Sequence, residues 1–303
     1  IVDGGNKGNA NYRFNGVAFW NAGGTLEDVD VINIMNDPFS GAQHGVGVFA
    51  YNNTTGPFNI KLDHVDVTDF QKTGVVLTGN GGNLTVDLDN VTVTGQGLTD
   101  IIAQNGIDIS SATGSVTNCS VTGVDWIWPG TGTHWTASGI ILQNTTDLVV
   151  SNATLTGCET SFYAKENLGL EISGCVIDGA TEIAVLDYGG IDSVIDGNTI
   201  TNSSSGIYCY LTESALITNN EIEGSEYALI LEEIDSVSSE ITVTGNEFSN
   251  NYIHVYNSGD EPDVNTLIPT NTYAPTYFIV DQTIYGNGTV LYVDAPLEVI
   301  QDN

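Results

Sequence analysis

The sequence predicts an all-β solenoid of stacked parallel coils, and three observations predict it. A nine-residue pattern recurs down the chain, its spacing never falls below 22 residues, and no apolar stripe of 3.6-residue period runs longer than two turns. The clearest copies are VIDGNTITN (194–202), LITNNEIEG (216–224) and TVTGNEFSN (242–250). Upstream the same pattern reads as TLEDVDVIN (25–33), KLDHVDVTD (61–69), DLDNVTVTG (87–95), SVTNCSVTG (115–123), VVSNATLTG (149–157) and EISGCVIDG (171–179). The residue after the Gly/Asn step marks a column of Val29, Val65, Val91, Cys119, Ala153, Cys175, Asn198, Asn220 and Asn246. Successive intervals along it are 36, 26, 28, 34, 22, 23, 22 and 26 residues.

A second motif lies between the copies, a short apolar run often led by Gly, such as GVGVFAY (45–51), GVVLTG (74–79), GIILQ (139–143) and GIYCY (206–210). Alternating runs of this length, bounded by Gly, Asn, Ser and Asp, are strands rather than helices. Each period is expected to hold at least two strands and two turns. A unit of about 22 residues cannot bury its own apolar face, so it must stack on its neighbours at about 4.8 Å per coil.

The pattern xIxGNxIxG, over roughly residues 25 to 250, resembles the right-handed parallel β-helix repeat family, secreted or cell-surface proteins related in fold to polysaccharide lyases and epimerases. The resemblance implies that Asn198, Asn220 and Asn246 point inward and stack as a ladder. Val, Cys and Ala in the earlier copies would confine that ladder to the C-terminal half. A leucine-rich repeat would require a fixed Leu spacing and a helical segment that are missing here. Also missing are the Asn-Thr-Asp, Asp-Asp and Gly-His-Gly signatures of polygalacturonase-like hydrolases and the Tyr and Asp-Pro-His signature of alginate epimerases. A chain with one Arg cannot build the Arg-rich groove of pectate lyases.

Residues 1–256 are expected to form the β-helix domain, of roughly ten coils. The stretch GDEPDVNTLIPTNTYAP (259–275) then breaks the repeat with its prolines, and residues 257–303 are expected to form a capping segment of short strands over the last backbone edge. The first coil reads as uncapped, which points to a larger surface assembly or to end-to-end self-association at that coil.

Five cationic residues, Lys7, Arg13, Lys61, Lys72 and Lys165, face 38 acidic ones, for a formal charge of −33. Nucleic-acid binding is excluded, because phosphate neutralisation needs Lys and Arg. The same charge opposes anionic membranes and uronate-rich polysaccharides unless divalent cations intervene. The acidity reads as solubility and resistance to strand-edge aggregation, with weak Ca²⁺ sites on the carboxylate rows Glu27, Asp28, Asp30 and Asp87, Asp89, or a saline habitat, as the alternatives. No run of 18 apolar residues exists to form a membrane-spanning helix. Cys119 and Cys175 share the marker column two coils apart, about 9 to 10 Å, too far for a disulfide. Together with Cys158 and Cys209 they read as buried small apolar side chains.

In a solenoid the insertions carry function, because rigid coils hold them on one face. The turn between the two motifs swells to IMNDPFSGAQH (34–44), stays short at DFQK (69–72), swells again to QGLTDIIAQN (96–105) and VDWIWPGTGTHWTAS (124–138), then collapses to CET, ATE, SSS and SE. One edge of the N-terminal half therefore carries a wall of loops. Trp126, Trp128 and Trp135, with Asp125 and His134, either offer flat rings to the apolar face of a sugar or close a satellite core on the coil beneath. Gln43-His44, Gln71-Lys72, Gln104-Asn105 and Ser138 should stack at one corner beside Asp69 and Asp100. His44, Lys72, Asp69, Asp100 and His134 are the candidate acid/base groups there. The bland alternative is a ladder in which Gln71 and Gln104 satisfy backbone groups. A second candidate cluster is Lys165, Asp187 and Tyr210 on successive coils.

The expected function is an extracellular or cell-surface module that binds neutral glycan or a protein partner without catalysis. Its contact residues would be Trp126, Trp128, Trp135, Asp125, Gln71 and Gln104. The second expectation is a polysaccharide-active enzyme of lyase, epimerase or hydrolase type, which would have to recruit Ca²⁺ for charge-neutralising chemistry on uronates.

Overall fold

In the computed structural model the chain is a parallel β-helix. The structure describes residues 1–258 except 10, 82, 129, 131–135 and 235–239, together with 267, 269–274, 277–281 and 289–293. The strands form an 18-stranded and a 12-stranded sheet that share one lumen. Each strand pairs in parallel with its equivalents on the next coils, as Ile183–Tyr188 does with Thr160–Lys165 and Ser205–Tyr210. Parallel pairing continues through Thr272–Ala274 and Tyr277–Asp281, and Thr289–Val293 then adds antiparallel to the latter.

A coil of the C-terminal half holds three strands, one more than the minimum the sequence suggests. The nine-residue motif folds as two strands around a corner, for example Ser193–Asp196 and Thr199–Thr201. The corner residue takes the left-handed conformation, with φ of 54° at Asn152, 61° at Gly174, 64° at Gly197 and 54° at Asn219. That backbone favours Gly and Asn, which is why those residues recur at this step.

The residue after the corner turns inward. Val65, Val91, Cys119, Ala153 and Cys175 are buried, and Asn198, Asn220 and Asn246 continue the column. Asn220 Nδ2 donates to Ile195 O at 2.8 Å and to Asn246 Oδ1 at 2.9 Å, and Asn220 Oδ1 accepts from the Asn198 backbone N–H at 3.0 Å. The column ends on Asn271, whose Oδ1 accepts from Asn246 N at 3.0 Å. Each amide thereby satisfies backbone groups that the turn leaves open, inside a lumen where leaving them open would be costly.

The Gly of the second motif has a packing cause. A Cβ on Gly106 would lie 2.4 Å from Gly139 O and 2.6 Å from Val121 Cγ1, so the strand sits too close to the facing wall for any side chain. The large insertion is anchored where the sequence suggested free loop. Ser120–Trp126 pairs with Thr92–Thr99 past a register shift between Thr122 and Val124. Positive φ at Gly97 and Gly123 permits that shift, and Val124 and Ala137 at the two feet of the insertion are wholly buried.

Candidate functional site

Alternate side chains of the 12-stranded sheet leave the lumen and form axial rows on its outer face. One row runs Val76, Asp108, Ile141, Tyr163, Leu186 and Tyr208, and its neighbour runs Thr78, Ser110, Gln143, Lys165, Tyr188 and Tyr210. Over the N-terminal half of these rows the swollen turns build a wall. Floor and wall enclose an open-sided cleft of about 800 Å³. Its lining is Gln43, Lys72, Ile101, Ile102, Ala103, Asn105, Trp126, Thr136, Ser138, Ile141, Gln143 and Tyr163. Aromatic and aliphatic surface thus alternates with amides and hydroxyls, a composition suited to a ligand both ringed and polar.

Lys72 is the charged member of that lining. Its Nζ donates to Ala103 O, and burial brings its ammonium down to about 8 against the weaker upward pull of Asp108. Asp108 accepts from Ser110 Oγ at 3.1 Å, and burial raises its carboxyl despite Ser110 and Lys72. Both groups pay for desolvation, and the ion pairs that lysines make among the described residues are Lys61–Asp63 and Lys165–Glu166, not Lys72–Asp108.

The other acid/base candidates go elsewhere. His44 is buried beneath the first loop, with Nε2 3.0 Å from Asn36 Oδ1 and its ring edge-on to Tyr12. Asp69 accepts from Gln96 Nε2 at 3.4 Å, Asp100 is exposed, and neither lines the cleft. His134 and Trp135 lie outside the described residues. Gln71 and Gln104 are buried and act on backbone. Gln71 Oε1 accepts from Asn36 N at 3.1 Å and its Nε2 donates to Ser40 O, while Gln104 Nε2 donates to Phe70 O at 2.7 Å and its Oε1 accepts from Gln96 N at 2.8 Å. These bonds tie Gln71 and Gln104 to the backbone of the loops. Asp125 is likewise buried, bound to its neighbour's Trp126 N–H at 2.9 Å and to Thr181 Oγ1 at 3.0 Å. Trp126 packs partly on the core and partly into the cleft, whereas Trp128 is 40% exposed and does not line it.

Lys165, Asp187 and Tyr210 are not brought together. Lys165 and Tyr210 project outward, but Asp187 is in register with Ala164 and Cys209 and points into the lumen. Lys165 Nζ sits 5.3 Å above the Tyr188 ring, which stacks on Tyr210 at 5.4 Å and 18°. Tyr188 is therefore flanked by a cation and by a second ring.

The carboxylate rows do not converge either. Glu27, Asp63 and Asp89 lie one above another, but Lys61 Nζ is 3.1 Å from Asp63 Oδ2 and His64 Nδ1 is 2.6 Å from its Oδ1. Asp28 occupies the corner and Asp30 and Asp87 belong to other rows, so strand geometry spreads these oxygens along the coil. Among the described residues no group of three or more His, Cys, Asp or Glu could hold a metal ion, and the expectation of Ca²⁺ sites at Glu27, Asp28, Asp30, Asp87 and Asp89 finds no support.

Sequence reading missed Ile141 and Gln143 in the lining. Aligning the second motif on its Gly, as in GIDIS and GIILQ, would have placed Asp108 and Ile141 in one outward row.

Fold and cleft together define a β-helix protein with a lateral cleft. The chain belongs to a periplasmic β-helix family, because the family model described as "Periplasmic copper-binding protein (NosD)" matches residues 60–288. The family's location agrees with the expected place outside the cytoplasm. No curated protein matches. Two solved structures are similar: the N-terminal fragment of bacteriophage phi29 gene product 12 and a mutant tailspike protein of E. coli bacteriophage HK620 in complex with pentasaccharide. The first is 13% identical with a TM-score of 0.40 and the second 12% with 0.35. The matches cover 94% and 87% of this chain but only 60% and 49% of those chains, and likeness of that degree carries no functional argument.

The family description names copper, and the donor set can be tested against it. Copper takes thiolate, thioether and imidazole ligands that converge on one point. His44, His64 and His254 belong to separate coils, and the chain has one Met. All four cysteines are free and buried, and burial pushes the thiols of Cys119 and Cys158 up to about 12 and that of Cys175 to about 11, the wrong direction for a thiolate ligand. The described residues do not fit a copper ion, and no chemistry is derived through one.

Proposed function

We propose that this chain is a periplasmic β-helix module that binds glycan in the lateral cleft and does not turn it over. The observation that carries the reading is the cleft's lining, in which Trp126, Ile141 and Tyr163 alternate with the amides of Asn105 and Gln143 and the hydroxyl of Ser138. Sugar rings present an apolar face and a polar rim, and this surface matches both. Among the described residues no carboxylate lines the cleft, so the paired acids that glycoside hydrolysis uses are missing from its wall.

The test is calorimetric titration against an oligosaccharide panel. Tyr163→Ala should weaken binding by about 1–3 kcal/mol, as loss of a central aromatic contact does. Absence of binding by the unmutated chain, or an unchanged affinity in Tyr163→Ala, would sink the reading. A second reading, a lyase or epimerase, is favoured by Lys72, whose amine near 8 lies in the range of a general base. Loss or isomerisation of a bound oligosaccharide during the same titration would establish it in place of the first.

A further inference from the structure

A chain with five cations against 38 acids sets one of the five, Lys72, in its cleft, where no carboxylate joins the lining among the described residues. Asp108 acts on the ammonium electrostatically, but it stands outside the lining, and the lysine ion pairs among the described residues do not include this one. The cleft is thus locally cationic on an otherwise acidic protein.

Hydrogen bonds fix where its donors stand. Lys72 Nζ donates to Ala103 O, and Lys72 O accepts from Asn105 N at 2.9 Å, so head group and backbone both rest on the corner 103–105. From the next coil Ser138 N donates to Asn105 Oδ1 at 3.3 Å. A backbone N–H can pair only with the oxygen of that amide, which leaves its NH₂ as the end without a partner among the described residues. Thr73, Asn105 and Ser138 are in register on successive strands, so the ammonium beside Thr73, the amide and the Ser138 hydroxyl follow one short axial row. Lys72, Ala103, Asn105 and Ser138 all line the cleft.

An ammonium has three donors, of which Ala103 takes one, and the amide NH₂ has two more. The row is therefore rich in donors, while Ala103 O and Asn105 Oδ1 are already engaged as acceptors. A sugar hydroxyl brings a donor with the acceptors it offers. A carboxylate or a sulfate ester brings acceptors alone, and its charge-assisted bonds are about twice as strong as neutral ones. One cation balances one anion. An acid on every sugar unit would set further anions along a lining with no second cation, against a chain charge of −33.

Resting on the glycan reading above, we propose that Lys72, Asn105 and Ser138 form a subsite for a single acidic substituent, the carboxylate or sulfate of one unit in an otherwise neutral glycan. The acid accepts from Lys72 Nζ and from the amide and hydroxyl of the other two side chains. The neutral units extend over the apolar part of the lining, at Trp126, Ile141 and Tyr163.

The experiment titrates the full chain with matched probes: lactose, sialyllactose and lactose sulfate; xylotriose and the same trisaccharide carrying one glucuronate; and oligogalacturonate. In at least one matched set the singly acidic member should bind about tenfold or more tightly than its neutral parent, and more tightly than oligogalacturonate. Lys72→Met should bring that acid-to-neutral ratio within about twofold. Asn105→Asp keeps an acceptor for Ser138 N but exchanges the NH₂ donors for negative charge, and should bring the ratio to one or below. The unmutated protein gives a readout independent of any variant's folding: the singly acidic probe should protect Lys72 from reductive methylation, followed by mass spectrometry. Neutral parents that bind as well as their acidic partners, while Tyr163→Ala loses binding, would overturn the acid subsite and leave the glycan reading standing. Preference for oligogalacturonate, an unchanged ratio in Lys72→Met, or Lys72 labelling unaffected by the acidic probe would overturn the subsite as well. Failure of the unmutated chain to bind any probe would overturn both.

Discussion

Asp187 is a carboxyl group inside the solenoid, flanked in register by Ala164 and Cys209 and beside a void too small for water. Its Oδ2 is 3.3 Å from Thr212 Oγ1, while Oδ1 finds no partner of hydrogen-bonding geometry, although Ser193 lines the same void. Burial pushes its carboxyl up to about 6 against the opposing hydroxyls of Ser193 and Thr212. The folded chain thus holds this proton more tightly than the unfolded chain, whose value is 3.8. Protonation favours the fold, so the contribution is full below pH 4 and is lost as pH rises through 6, the reverse of a salt-bridged Asp. A rise from 3.8 to about 6 separates the two protonation states of the folded chain by about 3 kcal/mol. Asp187→Asn should therefore gain thermal midpoint over the parent as pH rises from 4 to 7, with little further change above. Parallel midpoint curves for the two proteins would mean that the carboxyl reaches water.

At the scale of the element, the Asn ladder and the cleft differ in how far the sequence reveals them. The ladder was legible because the same physical demand recurs every coil: a left-handed corner, then an inward residue that must close backbone groups. Asn220 meets it with bonds to Asn198 N and Ile195 O. Asn220→Ala strips both in a dry interior and should cost about 2–4 kcal/mol in denaturant unfolding, more than Cys119→Ala in the same column. Equal costs would mean that the lumen is wet at this corner. The cleft was only partly legible. Trp126 and Lys72 stand out by composition, but the wall depends on loops of unequal length, whose course no repeat constrains. Asp187 was misplaced because one residue of register moves a strand side chain to the opposite face. Lys165 and Tyr210 share the outward row with Tyr188, one residue beyond Asp187. Gln71 and Gln104 were legible as a repeated corner, and both are buried with their amides bonded to backbone groups.

For the whole molecule, the stacking that buries the core also stacks charge. Parallel register places Glu27, Asp63 and Asp89 one above another, likewise Asp30 with Asp66, and Glu221 with Glu247. Like charges directly opposite in a sheet are unfavourable, and coils about 4.8 Å apart bring them closer than an unfolded chain would. Lys61 relieves one row, and a total of five cations cannot relieve the rest. These carboxylates are on the outer surface, where salt screens them: the Debye length falls from about 10 Å at 0.1 M to about 3 Å at 1 M. Raising NaCl over that range should raise the thermal midpoint by several degrees, at about 2–4 °C per kcal/mol for chains of more than about 150 residues. CaCl₂ should do no more than MgCl₂ at equal ionic strength, because the rows spread their oxygens along the coils and do not gather them around an ion. A midpoint indifferent to salt would show that the acidic rows cost the fold nothing. An increment specific to Ca²⁺ would show that carboxylates do converge in solution, since only binding to the folded state distinguishes two divalent ions of the same charge.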